Sequence, residues 1–286
     1  MGEPQILKAP VILCGENLDA PQPIEIVSGQ AVVFNRPFGG LEGTNEDGLG
    51  VFESGEDKVC LALADGVGGL SKGRDAAALV IEKVRKWTES KGSVTLEECL
   101  KKCNQALLAD LPRSGTTASV VMIYGASALT CHAGDSQILV VGQRGRIKLK
   151  VDAHSPVGVS ETLGLIDEEE ALHHPKRHFL NNMLGDPALW LENHELMLAA
   201  RDTILIASDG LWDNLYLSEV IELIRSGDLL ESAQTMTQLA VSRMDEPVSG
   251  SPSKPDDLSF ILYRPDPSRL AEDLEERSEN PDLAGA

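Results

Sequence analysis

Five times along this chain an apolar run ends or begins on an acidic residue. Asn45-Glu46-Asp47 opens the run DGLGVF, and CLALADGVGG carries Asp65 off its end. LTCHAGDSQILVV places Asp135 between two runs, and DTILIASDGLWD places Asp209 after another. KPDDLSFILY starts its run at Asp256 and Asp257. Short runs rich in β-branched residues, broken by Gly, Asp or Pro, read as strands. Asp-Gly and Gly-Asp are turn formers, and any one of these sites alone is explained by a turn. Uncharged Ser or Asn would serve a turn equally well, so the repeated choice of acid constrains the fold. If the sheets bring these strand ends together, the carboxylates need protons or hard cations to neutralise them. Oxygen ligands select Mg²⁺ or Mn²⁺ over zinc. Two such ions about 3.5–4 Å apart activate a water at neutral pH and clamp a phosphate for in-line attack.

The remaining pattern predicts how the strands are grouped. QAVVF at Gln30 to Phe34 reads as a strand, and Asp47 to Phe52 with Val59 to Leu63 read as a hairpin. Two helices follow. Ser71 to Lys91 carries Ala77, Val80, Ile81, Val84 and Trp87 at helical spacing, and Thr95 to Leu111 carries Leu96, Cys99, Leu100, Cys103 and Leu107. Thr95 with Glu98 is a capping-box signature. Strands return at Thr116 to Tyr124, Ala128 to Ala133, Gln137 to Val141 and Arg146 to Val151. Ala153 to Pro187 turns polar and irregular, with one helical piece at Asp167 to Leu172. Strands at His194 to Leu198 and Thr203 to Ala207 precede helices at Leu217 to Ile224 and Leu229 to Met244, and Leu258 to Tyr263 is the last strand. This grouping predicts one α+β domain with antiparallel sheets. The first 25 residues yield no more than a leading strand or arm. Asp266 to Ala286 is acidic and poor in apolar residues, which predicts a mobile tail.

Composition narrows the function. The 45 acidic and 25 basic side chains leave a net charge of −20. Nucleic acid and anionic membrane surfaces both require a basic footprint, so neither is expected as a partner. The chain has no apolar run of about 18 residues for a membrane span, and no apolar block near Met1 that would mark a signal peptide. The five cysteines, Cys14, Cys60, Cys99, Cys103 and Cys131, are odd in number and contain no CxxC pair. They read as reduced thiols, which predicts a cytoplasmic location. Cys60 and Cys131 lie inside apolar runs, where a thiol is inert as a nucleophile.

The acidic segments, in order, resemble those of the metal-dependent Ser/Thr protein phosphatases, the PPM family or type 2C, in their bacterial form. The matching residues are Asn45-Glu46-Asp47, Ala64-Asp65-Gly66-Val67-Gly68-Gly69, Ser114-Gly115-Thr116-Thr117-Ala118, Ala133-Gly134-Asp135-Ser136, Ala207-Ser208-Asp209-Gly210-Leu211-Trp212-Asp213 and Asp256-Asp257-Leu258-Ser259. His154-Ser155, Gly164-Leu165-Ile166 and Glu168-Glu169-Glu170-Ala171 resemble the flap region of bacterial members. The resemblance implies an α+β fold, a four-layer sandwich of two stacked antiparallel β-sheets flanked by α-helix pairs. The phosphatase domain would cover residues 26–265, with a flap insert at about 153–187, an N-terminal arm over 1–25 and the acidic tail over 266–286. It implies phosphoserine and phosphothreonine hydrolysis by a water or hydroxide bridging two Mn²⁺ or Mg²⁺ ions, with a third ion in bacterial members. The substrate would be a phosphorylated protein, and the opposing enzyme a Ser/Thr kinase in a signalling pathway. Asp65 would bridge the core ions, and the Gly66 carbonyl would bind one of them. Asp209 and Asp256 would bind the other, while Glu46 and Asp47 would hold ion-bound waters. Asp135 with Asp209 matches the position of the third ion, and Asp65, Asp209 and Asp47 are the expected catalytic set. Gly68 and Gly69 would allow a tight turn beside the ions, while Thr116 and Ser259 are read as structural.

Two positions depart from the pattern. Many members carry a phosphate-gripping Arg four residues before the first metal-site acid, and here that position is Glu42, with Arg36 and Arg74 as replacement candidates. Animal members carry a His directly after the Asp-Gly, and here that residue is Val67, which leaves His154 as a candidate proton donor. Two alternatives therefore remain open at this stage: a catalytically weak regulatory binding protein on the same fold, and a hydrolase of small phosphate esters.

Overall fold

The computed structural model describes residues 5–55, 58–67, 72–90 and 94–271. Among these residues the chain forms two sheets. The first runs β1 (Leu7–Lys8), β3 (Gln22–Ile26), β4 (Gly29–Arg36), β13 (Leu258–Pro265), β12 (Thr203–Ala207), β9 (Gln137–Val141) and β10 (Ile147–Lys150). The second runs β11 (Glu192–Met197), β8 (Ser127–Ala133), β7 (Ala118–Tyr124), β6 (Lys58–Asp65), β5 (Asp47–Glu53) and β2 (Val11–Leu13). Pairing is antiparallel throughout except between β1 and β3, which run parallel over two residues.

Strand periodicity explains why the central runs are continuously apolar. Side chains alternate between the two faces of a strand. On β6, Val59, Leu61 and Leu63 point into the core between the sheets, while Cys60, Ala62 and Ala64 point to the opposite face. On β13, Ile261 and Tyr263 enter the inter-sheet core, and Leu258, Phe260 and Leu262 face outward. Both faces are buried because helices cover the outer ones. Helices α1 (Gly73–Glu89) and α2 (Leu96–Asp110) lie on the second sheet through Ala77, Val80, Ile81, Val84, Leu100 and Leu107. Helices α6 (Leu217–Ile224) and α7 (Leu229–Asp245) lie on the first through Val220, Ile224, Ala233, Met236 and Ala240. The result is the expected four-layer sandwich. Thr95 and Glu98 close the capping box at the start of α2, and Cys99 and Cys103 pack in the core beneath it.

The structure adds elements that the sequence pattern concealed. Residues 7–26 supply β1, β2 and β3, which extend both sheets; Pro10, Pro21, Pro23 and Gly15 interrupt runs too short to show a period. Within the polar segment after β10, α3 (Pro156–Thr162) precedes α4 (Glu168–Leu172), which Asp167 caps. At the other end, Asp266 donates its N–H to the Ser28 carbonyl at 2.9 Å, and Leu270 is 3% exposed against the inter-sheet core. Tail residues 272–286 lie outside the described residues, as do Gly68 and Gly69.

Candidate functional site

The site lies at one end of the sandwich, where strand termini of both sheets meet. The β5–β6 register sets Asp47 directly opposite Asp65. In the facing sheet, Asp209 follows β12 and opens the one-turn helix α5 (Asp209–Trp212), while Asp256 precedes β13. Asp135 sits on the corner between β8 and β9, where Gly134 has φ +110°; a side chain at Gly134 would run into Thr117. A cleft at this end is lined by Glu46, Asp65, Gly66, Asp135, Asp209 and Asp256, together with Asp257, Thr117, His178 and Lys254. Six of the seven residues expected from the sequence therefore share one cleft. Asp47, the seventh, lies just beneath it and is 1% exposed.

Buried hydroxyls and amides hold this end of the fold in place. Thr117 accepts the Asp65 N–H at 2.9 Å and lies 2.7 Å from the Ser136 hydroxyl, while Thr116 donates its hydroxyl to the Asp65 carbonyl at 2.9 Å. Asn45 accepts the Asp47 N–H at 3.0 Å and donates to Asn35 at 2.8 Å. Ser259 donates its hydroxyl to Asn35. Asp257 accepts the Glu46 N–H at 2.7 Å and the Phe38 N–H at 3.1 Å, which ties two loops to β13. Gly66 is required by close approach: a Cβ there would lie 2.4 Å from the Gly73 carbonyl carbon and 2.8 Å from the Glu46 carbonyl oxygen.

The electrostatics oppose this gathering of acids. Burial, then the Asp257 charge, pushes the Asp47 carboxyl well above the usual carboxylate range. Burial and Asp47 do the same to Asp65, and burial and Asp209 to Asp135. Burial and Asp209 raise Asp256 to about 6. Glu46 and Asp213 are raised too, each first by burial. Asp47 Oδ2 is buried with no hydrogen-bond partner among the described residues. An unpartnered buried carboxylate oxygen beneath five converging acids fits a hard-cation centre, whose donor set would be oxygen alone.

Several residues take places or roles that the sequence reading did not give them. His154 does not line the cleft. It is 2% exposed and stacks on His132 with ring centroids 4.3 Å apart. Its Nδ1 accepts the Gly134 N–H at 3.2 Å and the Asn182 amide at 2.9 Å, so its proton sits on Nε2, 3.2 Å from Glu192. His132, His154 and Glu192 offer ligand atoms within 4.8 Å of one another, but that Nε2 proton would have to leave before a metal could bind. The group is a hydrogen-bonded clasp joining the Asp135 corner to the segment after β10. Arg74 is exposed and lies over Gly15, and Arg36 lines a neighbouring groove with Phe38, Asp245 and Asp256, so neither faces the acid cleft. Glu42 is exposed. His178 and Lys254 line the cleft without having been singled out, because a His and a Lys in polar loops look like ordinary solvated residues. Lys254 Nζ pairs with Asp209, with Asp213 at 2.9 Å and with Asp256 at 2.9 Å. Burial opposes the Lys254 charge, but these three carboxylates outweigh it and hold the ammonium above its usual range. The segment after β10 borders the site: a second cavity is lined by Asp135, Asp209 and Asp213 with Ser155, Glu168 and Arg177.

A four-layer sandwich with a carboxylate cleft between the strand ends of its two sheets fits a protein that holds hard cations there. Comparison with known proteins makes the class specific. The family model for protein phosphatase 2C matches residues 42–241. The serine/threonine phosphatase stp of Listeria monocytogenes is 26% identical over 208 residues, covering 68% of this chain and 82% of that protein. The serine/threonine protein phosphatase PstP of Mycobacterium tuberculosis is 30% identical over 197 residues, covering 63% of this chain and 37% of that one. Among solved structures, the serine/threonine phosphatase Stp1 of Staphylococcus aureus superposes with a TM-score of 0.72 at 25% identity, covering 84% of this chain and 96% of that one. The catalytic domain of PstP, solved with two manganese ions, superposes with a TM-score of 0.64 at 24% identity, covering 82% and 97%. The chain belongs to the protein phosphatase 2C family, and it is a Ser/Thr protein phosphatase of the metal-dependent kind.

Proposed function

We propose that the acid cleft is the catalytic centre and that it hydrolyses phosphoserine and phosphothreonine in proteins. The observation that carries this is the convergence of Glu46, Asp65, Asp135, Asp209 and Asp256 from both sheets, with the unpartnered Asp47 oxygen beneath them. When bound, Mn²⁺ or Mg²⁺ supplies Lewis acidity toward phosphoryl oxygens and lowers the pKa of a coordinated water. The two manganese ions in the PstP structure support that choice of cation. Asp65, the last residue of β6, would hold the core ions, with the Gly66 carbonyl beside it. Asp209 and Asp256 would hold the second ion. Glu46 and Asp47 would hold and orient waters, and Asp135 with Asp209 would offer a further position. The buried network of Thr116, Thr117, Asn45 and Asn35 keeps these acids from spreading apart, which preorganises the centre. The catalytic unit would span residues 26–265, with 153–187 as the flap that selects substrate and β1–β3 extending the sheet edges.

The proposed setting is cytoplasmic signalling opposite a Ser/Thr kinase. Five free cysteines and the net charge of −20 support it, and no helix among the described residues is long and apolar enough to cross a membrane. Substrate class is tested by comparing phosphothreonine and phosphoserine peptides with small phosphate esters under Mn²⁺. The phosphopeptides should exceed the small esters in kcat/KM by more than about tenfold. Equal or better turnover of small esters would sink the protein-substrate reading. Mn²⁺ binding with no hydrolysis of any phosphoester would favour a regulatory scaffold instead.

A further inference from the structure

Lys254 sits among acids that a divalent ion would also need. Its Nζ lies 2.9 Å from Asp213 Oδ2 and 2.9 Å from Asp256 Oδ2, and it contacts Asp209 Oδ2 as well. Among the described residues it is the one Lys or Arg lining the cleft. The backbone that carries it is fixed from several sides. Fully buried Asn214 accepts the Lys254 N–H at 2.8 Å and donates its amide to the Lys254 carbonyl at 2.9 Å. The same Asn214 amide donates to the Gly210 carbonyl at 2.9 Å. Gly210 stands between Asp209 and Asp213, so one buried amide locks Lys254 to the turn that carries two of its three carboxylates. One residue earlier, the Ser253 carbonyl accepts from Arg177 at 2.9 Å, and the Ser253 hydroxyl donates to the Arg243 carbonyl at 2.7 Å. Pro255, one residue later, biases Lys254 toward extended backbone. A solvated loop lysine requires none of this.

An ammonium is a compact point charge with three donors, and three carboxylate oxygens use all of them. A divalent ion drawn to Asp209 with Asp213 competes for the same oxygens, whereas Oδ1 of Asp209 and Oδ1 of Asp256 stay outside the Lys254 contacts. We infer that Lys254 is a built-in cation that takes the place of a divalent ion beyond the two core ions, at Asp209 and Asp213, so the cleft fills with fewer ions than its carboxylates alone would draw. The inference rests on the metal-binding reading of the cleft proposed above. It also explains how Asp213 can crowd Asp209 in this chain.

The test counts ions. EDTA-stripped wild type, Lys254→Met and Lys254→Gln are dialysed to equilibrium against Mn²⁺, and the bound metal is measured by atomic emission. Both variants should hold one more Mn²⁺ per chain than wild type. Equal, non-zero counts in all three proteins would overturn the Lys254 inference while leaving the metal-binding reading intact. No Mn²⁺ bound by wild type would overturn the metal-binding reading itself. If a variant is unstable without metal, purification in Mn²⁺ throughout and native mass spectrometry give the same count.

Discussion

Replacing Asp65 by Asn should stabilise the metal-free protein while abolishing its activity. Asp47 and Asp65 face each other across antiparallel strands, in register, at the buried end of the sandwich. Directly opposed residues in such a ladder have Cα atoms about 4.5–5.5 Å apart. Two unit charges about 5 Å apart repel by roughly 3 kcal/mol at an effective dielectric near 20. Partial protonation relieves some of this, because burial and neighbouring charge raise both carboxyls. Asn keeps the volume and removes the charge, so a gain of about 1–3 kcal/mol is expected. For a domain of this size that is a rise of roughly 2–10 °C in Tm. The gain depends on pH. A carboxyl raised in the folded state favours folding at acidic pH and loses that advantage as pH climbs above its unfolded value of 3.8. The difference between Asp65→Asn and wild type should therefore widen from pH 5 to pH 8. Saturating Mn²⁺ offsets the difference, since an ion at about 100 times its Kd adds roughly 2.7 kcal/mol to wild type and far less to the variant. Urea and thermal unfolding in EDTA and in Mn²⁺ measure both effects. Asp65→Asn less stable than wild type in EDTA at pH 8 would refute the reasoning.

Three further outcomes follow from other parts of the fold. Gly66→Ala forces a Cβ to within 2.4 Å of the Gly73 backbone, and it should cost several kcal/mol, about 2–4, in unfolding free energy together with most Mn²⁺ affinity. Thr117→Val removes the acceptor for the Asp65 N–H and the Ser136 hydroxyl contact, with an expected loss of about 1–3 kcal/mol in denaturant unfolding. Burial, then neighbouring His154, lowers His132 from 6.5 to about 4, so the unfolded chain binds a proton there before the folded one does. Stability should fall as pH drops from about 6.5 toward 4, by up to about 3 kcal/mol from this group, and His132→Gln should flatten that limb in pH-dependent melts.

The acid centre could be read from the sequence because its parts are local. Each carboxylate sits at the boundary of an apolar run and a turn, and boundaries of that kind are visible in one dimension. The helix pairs were equally plain, since α1, α2 and α7 carry their apolar residues at helical spacing over four turns or more. What the residues alone could not supply was the stacking of the two sheets, which depends on contacts between strands distant in sequence; the family resemblance supplied it. The short strands β1–β3 escaped because two to five residues broken by Pro and Gly carry no period. Lys254 escaped for a different reason. It stands in a Pro/Ser/Gly stretch, and only the fold reveals that Asn214, forty positions away, holds it against three acids. His154 followed the same logic in reverse: a flap-edge histidine by sequence, it is buried by packing against His132 and Trp190.

The decisive measurement is release of phosphate from a phosphothreonine peptide with Mn²⁺, Mg²⁺ or EDTA, using wild type, Asp65→Asn and Asp209→Asn. Carboxylates that converge to hold catalytic cations require turnover that depends on added metal, disappears in EDTA and falls by at least about 100-fold in each variant. Hydrolysis that persists in EDTA, or that survives both substitutions in folded protein, would place the chemistry somewhere other than this cleft.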